Sequence, residues 1–351
     1  MPRRVDGVDA ARGLALIGMF VAHVSPAVEN VDIASLIAIA DERPRLLFAL
    51  TAGIGLGFIS GGTRPIADDF GRGELRRQIA IRALILIALG FLIWAFFNPL
   101  VFIILDVYGV AFLVLLPLLF VPPRVALALG IGLIAITPAL AVVGARTEFV
   151  EAVRQTPFKF ISDWIVGGAY PVIVWVPVML IGIALARLDL KSPRVLAVSA
   201  LLGTLAAAVL LPIAASLPGP EVVSEAGWAA PLQASVMTVG NVGVCVVAVV
   251  ALVVLTALAR PSIRRVAGAV LSPITAMGSM PLSVYTLHLL VIAAAKRTVN
   301  GVVTDDSWPL LIGLVVGSMV FAWVWRRFLG RGPLERLLRW ASGRERADAA
   351  G

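Results

Sequence analysis

Two histidines occur in 351 residues, His23 and His288, and both lie inside long apolar runs. An imidazole stays neutral near physiological pH, so it can take a proton from an attacking hydroxyl or amine. Asp106 is the one carboxylate well inside an apolar run, and Asp41 borders another. Of the three tyrosines, Tyr108 lies two residues after Asp106, Tyr285 one helical turn before His288, and Tyr170 at one end of its own apolar run. Ionisable groups within a bilayer cost a few kcal/mol or more, so they usually face a bundle interior and serve a purpose. Each also has a plainer explanation. A histidine can bridge two helices, Asp106 can pair with Arg43 or Arg45, and Tyr170 can belong to an interfacial aromatic belt.

The elements that must position these residues are membrane helices. Hydrophobic residues make up 60% of the chain and charged ones 14%, and the mean hydropathy is +0.99. A soluble domain is nearer half apolar and a quarter charged. Ten apolar runs long enough to span stand near 12–29, 44–61, 77–97, 100–120, 124–143, 170–187, 194–214, 233–258, 274–295 and 308–327. The expected fold is an all-α polytopic membrane bundle of about ten transmembrane helices, one integral-membrane domain over 1–351. The first span reads as retained, because Pro26 and Glu29 follow it rather than a small-residue cleavage site.

Arginine placement sets the expected orientation. With the N-terminus cytoplasmic, 22 of the 29 basic residues fall on the inner side, as the positive-inside rule requires. Both termini are then cytoplasmic. The net charge of +8 is scattered in short clusters between apolar runs, so it reads as topology signal and not as a nucleic-acid stripe. In the tail, 332–346, Leu334, Leu337, Leu338 and Trp340 share one face among arginines. It suits an interfacial helix or a simple basic stop.

Helical rise then gives depths. His23 lies 11 residues beyond Arg12, roughly 16 Å above the inner surface. His288 lies roughly 21 Å up the ninth span, and Asp106 roughly 9 Å below the outer surface. Both histidines and the aspartate therefore converge on the outer half of the membrane.

Other signals are weaker. Cys245 stands alone in an apolar run and reads as a packed core residue. Gly53 and Gly57 give a G-x-x-x-G spacing, read as close helix packing. No metal is expected, since no H-x-x-x-H or similar ligand spacing occurs.

D-x-x-R-G at 9–13 followed by His23 resembles the first span of the transmembrane acyltransferase superfamily. So do DERPRLLFALTAGIGLGF at 41–58, YPVIVWVPVMLIGIALARLDL at 170–190 and MGSMPLSVYTLHLL at 277–290. Within it, the chain is most similar to bacterial relatives of heparan-α-glucosaminide N-acetyltransferase. That resemblance implies transfer of an acyl group, usually acetyl, from cytoplasmic acetyl-CoA to a glycan or glycolipid hydroxyl or amine at the outer side. It implies acyl-CoA as co-substrate, membrane lipid as surroundings, a bacterial-type plasma membrane location, and is compatible with a homodimer.

On this reading Arg12, Arg76, Arg77 and Arg82 meet the phosphates of acyl-CoA, and the pantetheine arm rises toward the histidines. His23 is the expected base, with Asp106 or Asp41 orienting a histidine or contacting the sugar. His288 and Tyr285 position the acceptor or stabilise the oxyanion, with Tyr108 and Tyr170 in support, and the reverse histidine assignment stays open. Asp9 and Arg12 can instead form a structural ion pair at the first helix's start. The rival reading is a proton-coupled transporter or flippase.

Overall fold

A computed structural model describes residues 5–219, 227–299 and 301–343. Arg3, Arg4, Arg344 and Arg346, which are among the 22 basic residues counted on the inner side, lie outside the described residues. The helices run in order α1 Asp6–Val24, α2 Val31–Ala38, α3 Arg43–Ile59, α4 Asp69–Phe97, α5 Leu105–Leu115 and α6 Pro123–Ala145. Then come α7 Glu148–Arg154, α8 Lys159–Ser162, α9 Val172–Arg187, α10 Pro193–Ala215, α11 Ala229–Val253, α12 Pro261–Val270, α13 Ser272–Ser279 and α14 Pro281–Ala294. A small antiparallel hairpin, β1 Arg297–Val299 and β2 Val302–Thr304, precedes α15 Trp308–Phe328 and α16 Pro333–Ala341.

The protein is an all-α membrane bundle. Among the described residues six helices are long and apolar enough to cross a membrane, or up to eight if each of two bent pairs is one span. The difference from ten runs has local causes. The fourth run yields a helix of only 11 residues, α5, because 98–104 leaves helical geometry after Asn98 (φ +39°) and Pro99. The sixth run yields α9, whose 16 residues make a span only together with the segment 159–167 bent 50° from it, and the ninth run is broken by 91° between α13 and α14. Met280 there is non-helical (φ −135°, ψ 56°) and Pro281 has no N–H to extend α13.

The chain folds into two compact units interleaved in sequence. One comprises Ala49–Leu75 and Val107–Val250. In it α6 lies against α9, and α3 meets α9 backbone to backbone. A Cβ on Gly53 would stand 2.6 Å from Met179 Cα, and one on Gly57 2.6 Å from Ala186 Cβ. Arg187, buried at the end of α9, donates to the carbonyls of Leu119 and Val121 and to Ser60 Oγ. It satisfies carbonyls of the turn segment between α5 and α6.

The second unit comprises the described residues of 5–48, 76–106 and 251–343 and holds both histidines. Here α1 packs along α13 and touches α14 and α15. Ala10, Ala11 and Ala15 are small, fully buried side chains of α1 that let neighbours approach, and Leu16 is fully buried beside them. Arg12 Nη1 bonds Asp9 Oδ1 and the Gly278 carbonyl, both at 3.1 Å, tying α1 to α13.

The tail helix α16 docks rather than merely lying at an interface. Glu335 accepts from the backbone N–H groups of Leu282 (2.8 Å) and Ser283 (3.2 Å) and from Ser283 Oγ (2.5 Å). It thereby caps the first turn of α14, just past the 91° bend. Leu338 is buried while Leu337 and Trp340 are exposed. Glu335→Ala is expected to cost about 2 kcal/mol, the worth of charge-assisted hydrogen bonds to otherwise unpartnered donors. Thermal melting in detergent measures it, and an unchanged melting temperature would remove this cap from the account.

Candidate active site

Three bends of chain bring the site together within the second unit. Pro26 clashes with a continuing helix, so α1 stops at Val24 with Ser25 extended. His23 therefore occupies the last turn of α1, rather than the middle of a span reaching 29. The bend before Pro281 likewise replaces a straight climb to His288, which sits seven residues along α14. Asp106 is the second residue of α5, in its first turn, because the helix begins at Leu105 and not at 100. The straight-rise depths are corrected accordingly, but the two histidines still meet.

His23 Nδ1 and His288 Nε2 are 3.2 Å apart, with the rings stacked at 5.4 Å and 13°. His288 is fully buried; His23 is half-buried. His288 Nδ1 lies 2.5 Å from the Tyr285 carbonyl. Phe20 (4.9 Å) and the edge of Tyr285 (4.7 Å) hold the His288 ring.

These partners assign the protons. A carbonyl only accepts, so neutral His288 must carry its proton on Nδ1 and donate it to Tyr285 O. Its Nε2 is then an acceptor, and His23 must donate from Nδ1. That leaves the lone pair of neutral His23 on Nε2, which has no hydrogen-bond partner among the described residues. The pair is built as an acceptor of one proton at His23 Nε2, oriented by His288.

Tyr285 extends the chain of contacts. Its hydroxyl accepts from the backbone N–H of Ile104 at 3.1 Å, which fixes the non-helical stretch leading into α5. Asp106 follows two residues later and is half-buried. Asp41 is exposed in the turn ahead of α3, with no side-chain hydrogen bond or ion pair among the described residues. Tyr108 and Tyr170 belong to the other unit, where both rings contact Trp175, at 6.2 and 5.8 Å. Arg12 is held by Asp9 and Gly278, as described. Arg76 and Arg77 are exposed on α4 and Arg82 is half-buried.

One residue escaped sequence reading. Lys296 Nζ donates to the Asn98 carbonyl at 2.9 Å, and Ser307 N–H donates to Val24 O at 2.9 Å. The segment from Lys296 through the hairpin to Ser307 thus ties together the ends of α4, α14 and α1, next to His23. Asp305 within it is 6% exposed, and its Oδ2 has no hydrogen-bond partner among the described residues. Its position beside Asp306, between the ninth and tenth apolar runs, gave no sign of burial, which depends on that tie.

Burial, the largest cause, pushes the Asp305 carboxyl above its ordinary range; its backbone N–H opposes this, Asp306 adds to it and Lys296 opposes it. A raised folded value favours the native state below the unfolded value near 4, and that advantage is lost as pH rises through the folded value. Asp305→Asn is accordingly expected to melt higher than the parent at pH 7, with the gap closing toward pH 4. Melting curves at both pH values decide it, and a gap independent of pH would refute the assignment.

Comparison with known proteins then bears on this geometry. Residues 4–215, more than half the chain, match the family model described as heparan-alpha-glucosaminide N-acetyltransferase, catalytic. The chain belongs to that family. Residues 184–345 match a second family, described as a protein of unknown function (DUF418). No curated protein matches the chain. As a member of the heparan-alpha-glucosaminide N-acetyltransferase-like superfamily, the protein is a multi-pass membrane acyltransferase. His23 falls within the first matched region and His288 within the second, so their contact joins the two.

Proposed function

We propose that the protein moves an acyl group, acetyl in the simplest case, from cytoplasmic acyl-CoA to a sugar or glycolipid hydroxyl or amine on the outer side of a bacterial-type plasma membrane. The observation that carries this reading is the 3.2 Å contact of His23 with His288, which leaves His23 Nε2 free to accept a proton. In the reaction the acceptor O–H or N–H gives its proton to His23 Nε2 as it attacks the thioester carbonyl. The imidazolium that forms keeps its Nδ1–H on His288, whose own N–H rests on the Tyr285 carbonyl. His288 is therefore the positioning residue, and the proton passes on to the departing thiolate of CoA.

Asp305 and Asp106 lie on segments bonded to the same elements, and supply carboxylates for acceptor hydroxyls. Basic residues at the inner ends, Arg12, Arg76, Arg77 and Arg82, are assigned to the phosphates of acyl-CoA, with both termini cytoplasmic by arginine bias. A transporter reading has no specific observation in its favour.

The test is release of free CoA from acetyl-CoA by the purified protein in liposomes, with sugars and glycolipids supplied as acceptors. Acceptor-dependent release supports the proposal. Failure of acetyl-CoA to bind or turn over, in protein that melts cooperatively, would sink it.

A further inference from the structure

At the opposite end of α1 from the histidines the second unit holds a cavity of about 620 Å³. Asp6 at its edge stands 17 residues before His23, roughly 25 Å away along the helix. Three guanidinium groups line it: Arg264 from α12, and Arg326 and Arg327 from the last turn of α15. Against them stands one carboxylate, Asp6, 3.9 Å from Arg326. Arg327 makes no hydrogen bond or ion pair with any described residue. Hydroxyls of Ser272 and Thr275 complete a lining that suits a phosphate group.

The rim says what kind of phosphate. On α12, Arg264 and Gly268 face the cavity, while Ile263, Val266 and Val270 are exposed on the opposite face at helical spacing. Along α15, Ile312, Val316 and Val320 form an exposed apolar stripe that ends at Trp323, itself part of the cavity wall. A basic amphipathic helix beside a tryptophan at the end of an apolar span belongs at a membrane interface. A phospholipid whose chains follow the α15 stripe brings its headgroup to these arginines.

We infer that this cavity is a binding site for the phosphate headgroup of an anionic membrane phospholipid, separate from the histidine pair. The inference needs the membrane bundle but not the acyl-transfer reading. A nucleotide phosphate, such as that of CoA, shares the headgroup's chemistry but brings no chains for the stripe.

Native mass spectrometry of the full chain in detergent tests it, with phosphatidylglycerol or phosphatidylcholine of equal chain length added. Phosphatidylglycerol is expected to be retained preferentially. Arg327→Gln is expected to weaken it about fivefold, from roughly one such factor per arginine. Gly268→Glu adds a carboxylate where a Cβ meets nothing within 4 Å, so it is expected to fold normally and abolish the preference. Equal retention of the two lipids, or retention unaffected by both variants, overturns the site. So does displacement of phosphatidylglycerol by added CoA, which would make the cavity a nucleotide site.

Discussion

His23→Ala is expected to lower acyl transfer by about 10² to 10⁴-fold, the usual worth of a positioned general base. His288→Ala should lose nearly as much, although His288 is assigned no direct contact with substrate. Without it, nothing holds His23 in the tautomer that leaves Nε2 unprotonated. The two residues act as one unit, so the double variant should be little worse than His23→Ala alone. A finer comparison separates positioning from packing. Gln at 288 can still offer an acceptor to His23 Nδ1–H, whereas Asn can offer only the donor toward the Tyr285 carbonyl. His288→Gln should therefore retain more turnover than His288→Asn or His288→Ala, with all three folded by thermal melting. Equal activity of Gln and Asn would remove the hydrogen-bond assignment, and full activity of His23→Ala would remove the base.

A common layer for the two histidines was legible in the sequence, because both sit where charge is costly in lipid, but their direct contact was not. Nor was the path by which they meet. A straight helix from 274 to 295 would carry His288 upward by rise alone, whereas the chain turns by 91° before Pro281. Proline marks a probable boundary in sequence, but not the direction in which the next helix leaves. Asp106 and Ile104 were misplaced for a related reason. An apolar run reads as helix, yet 101–104 stays irregular because the Tyr285 hydroxyl takes the Ile104 N–H, a partner 181 residues away. Glu335 read as part of a basic tail, and its role as a cap depends on where α14 begins. Asp305 is the same kind of case, since its burial follows from hydrogen bonds made by Lys296 and Ser307. The periodicity of apolar residues identifies helices; the breaks between them, which build the site, are settled by tertiary hydrogen bonds.

Gly278→Ala is the substitution expected to do most harm to the fold. A Cβ at 278 would point at the Asp9 carbonyl and lie 2.6 Å from Gly13 N. These are backbone atoms, so the neighbour cannot swing away, and α1 and α13 must part. Overpacking of this kind costs typically 1–3 kcal/mol, and a backbone collision lies at the upper end, about 3 kcal/mol. Separation would also break the Arg12 contact to the Gly278 carbonyl. That contact joins α1 to α13 and the histidine pair joins α1 to α14, so the two are rungs on one helix, 11 residues apart on α1 and 10 apart between 278 and 288 across the bend. Moving the lower rung moves the upper one. A displacement near 1 Å at His23 is enough to lower turnover by about 10²-fold. Gly317→Ala on α15 serves as the control, because a Cβ there meets nothing within 4 Å. It should melt at or slightly above the parent, by the helix preference for alanine. If Gly278→Ala melts with Gly317→Ala and retains full turnover, the close approach of α1 and α13 is not what registers the two histidines.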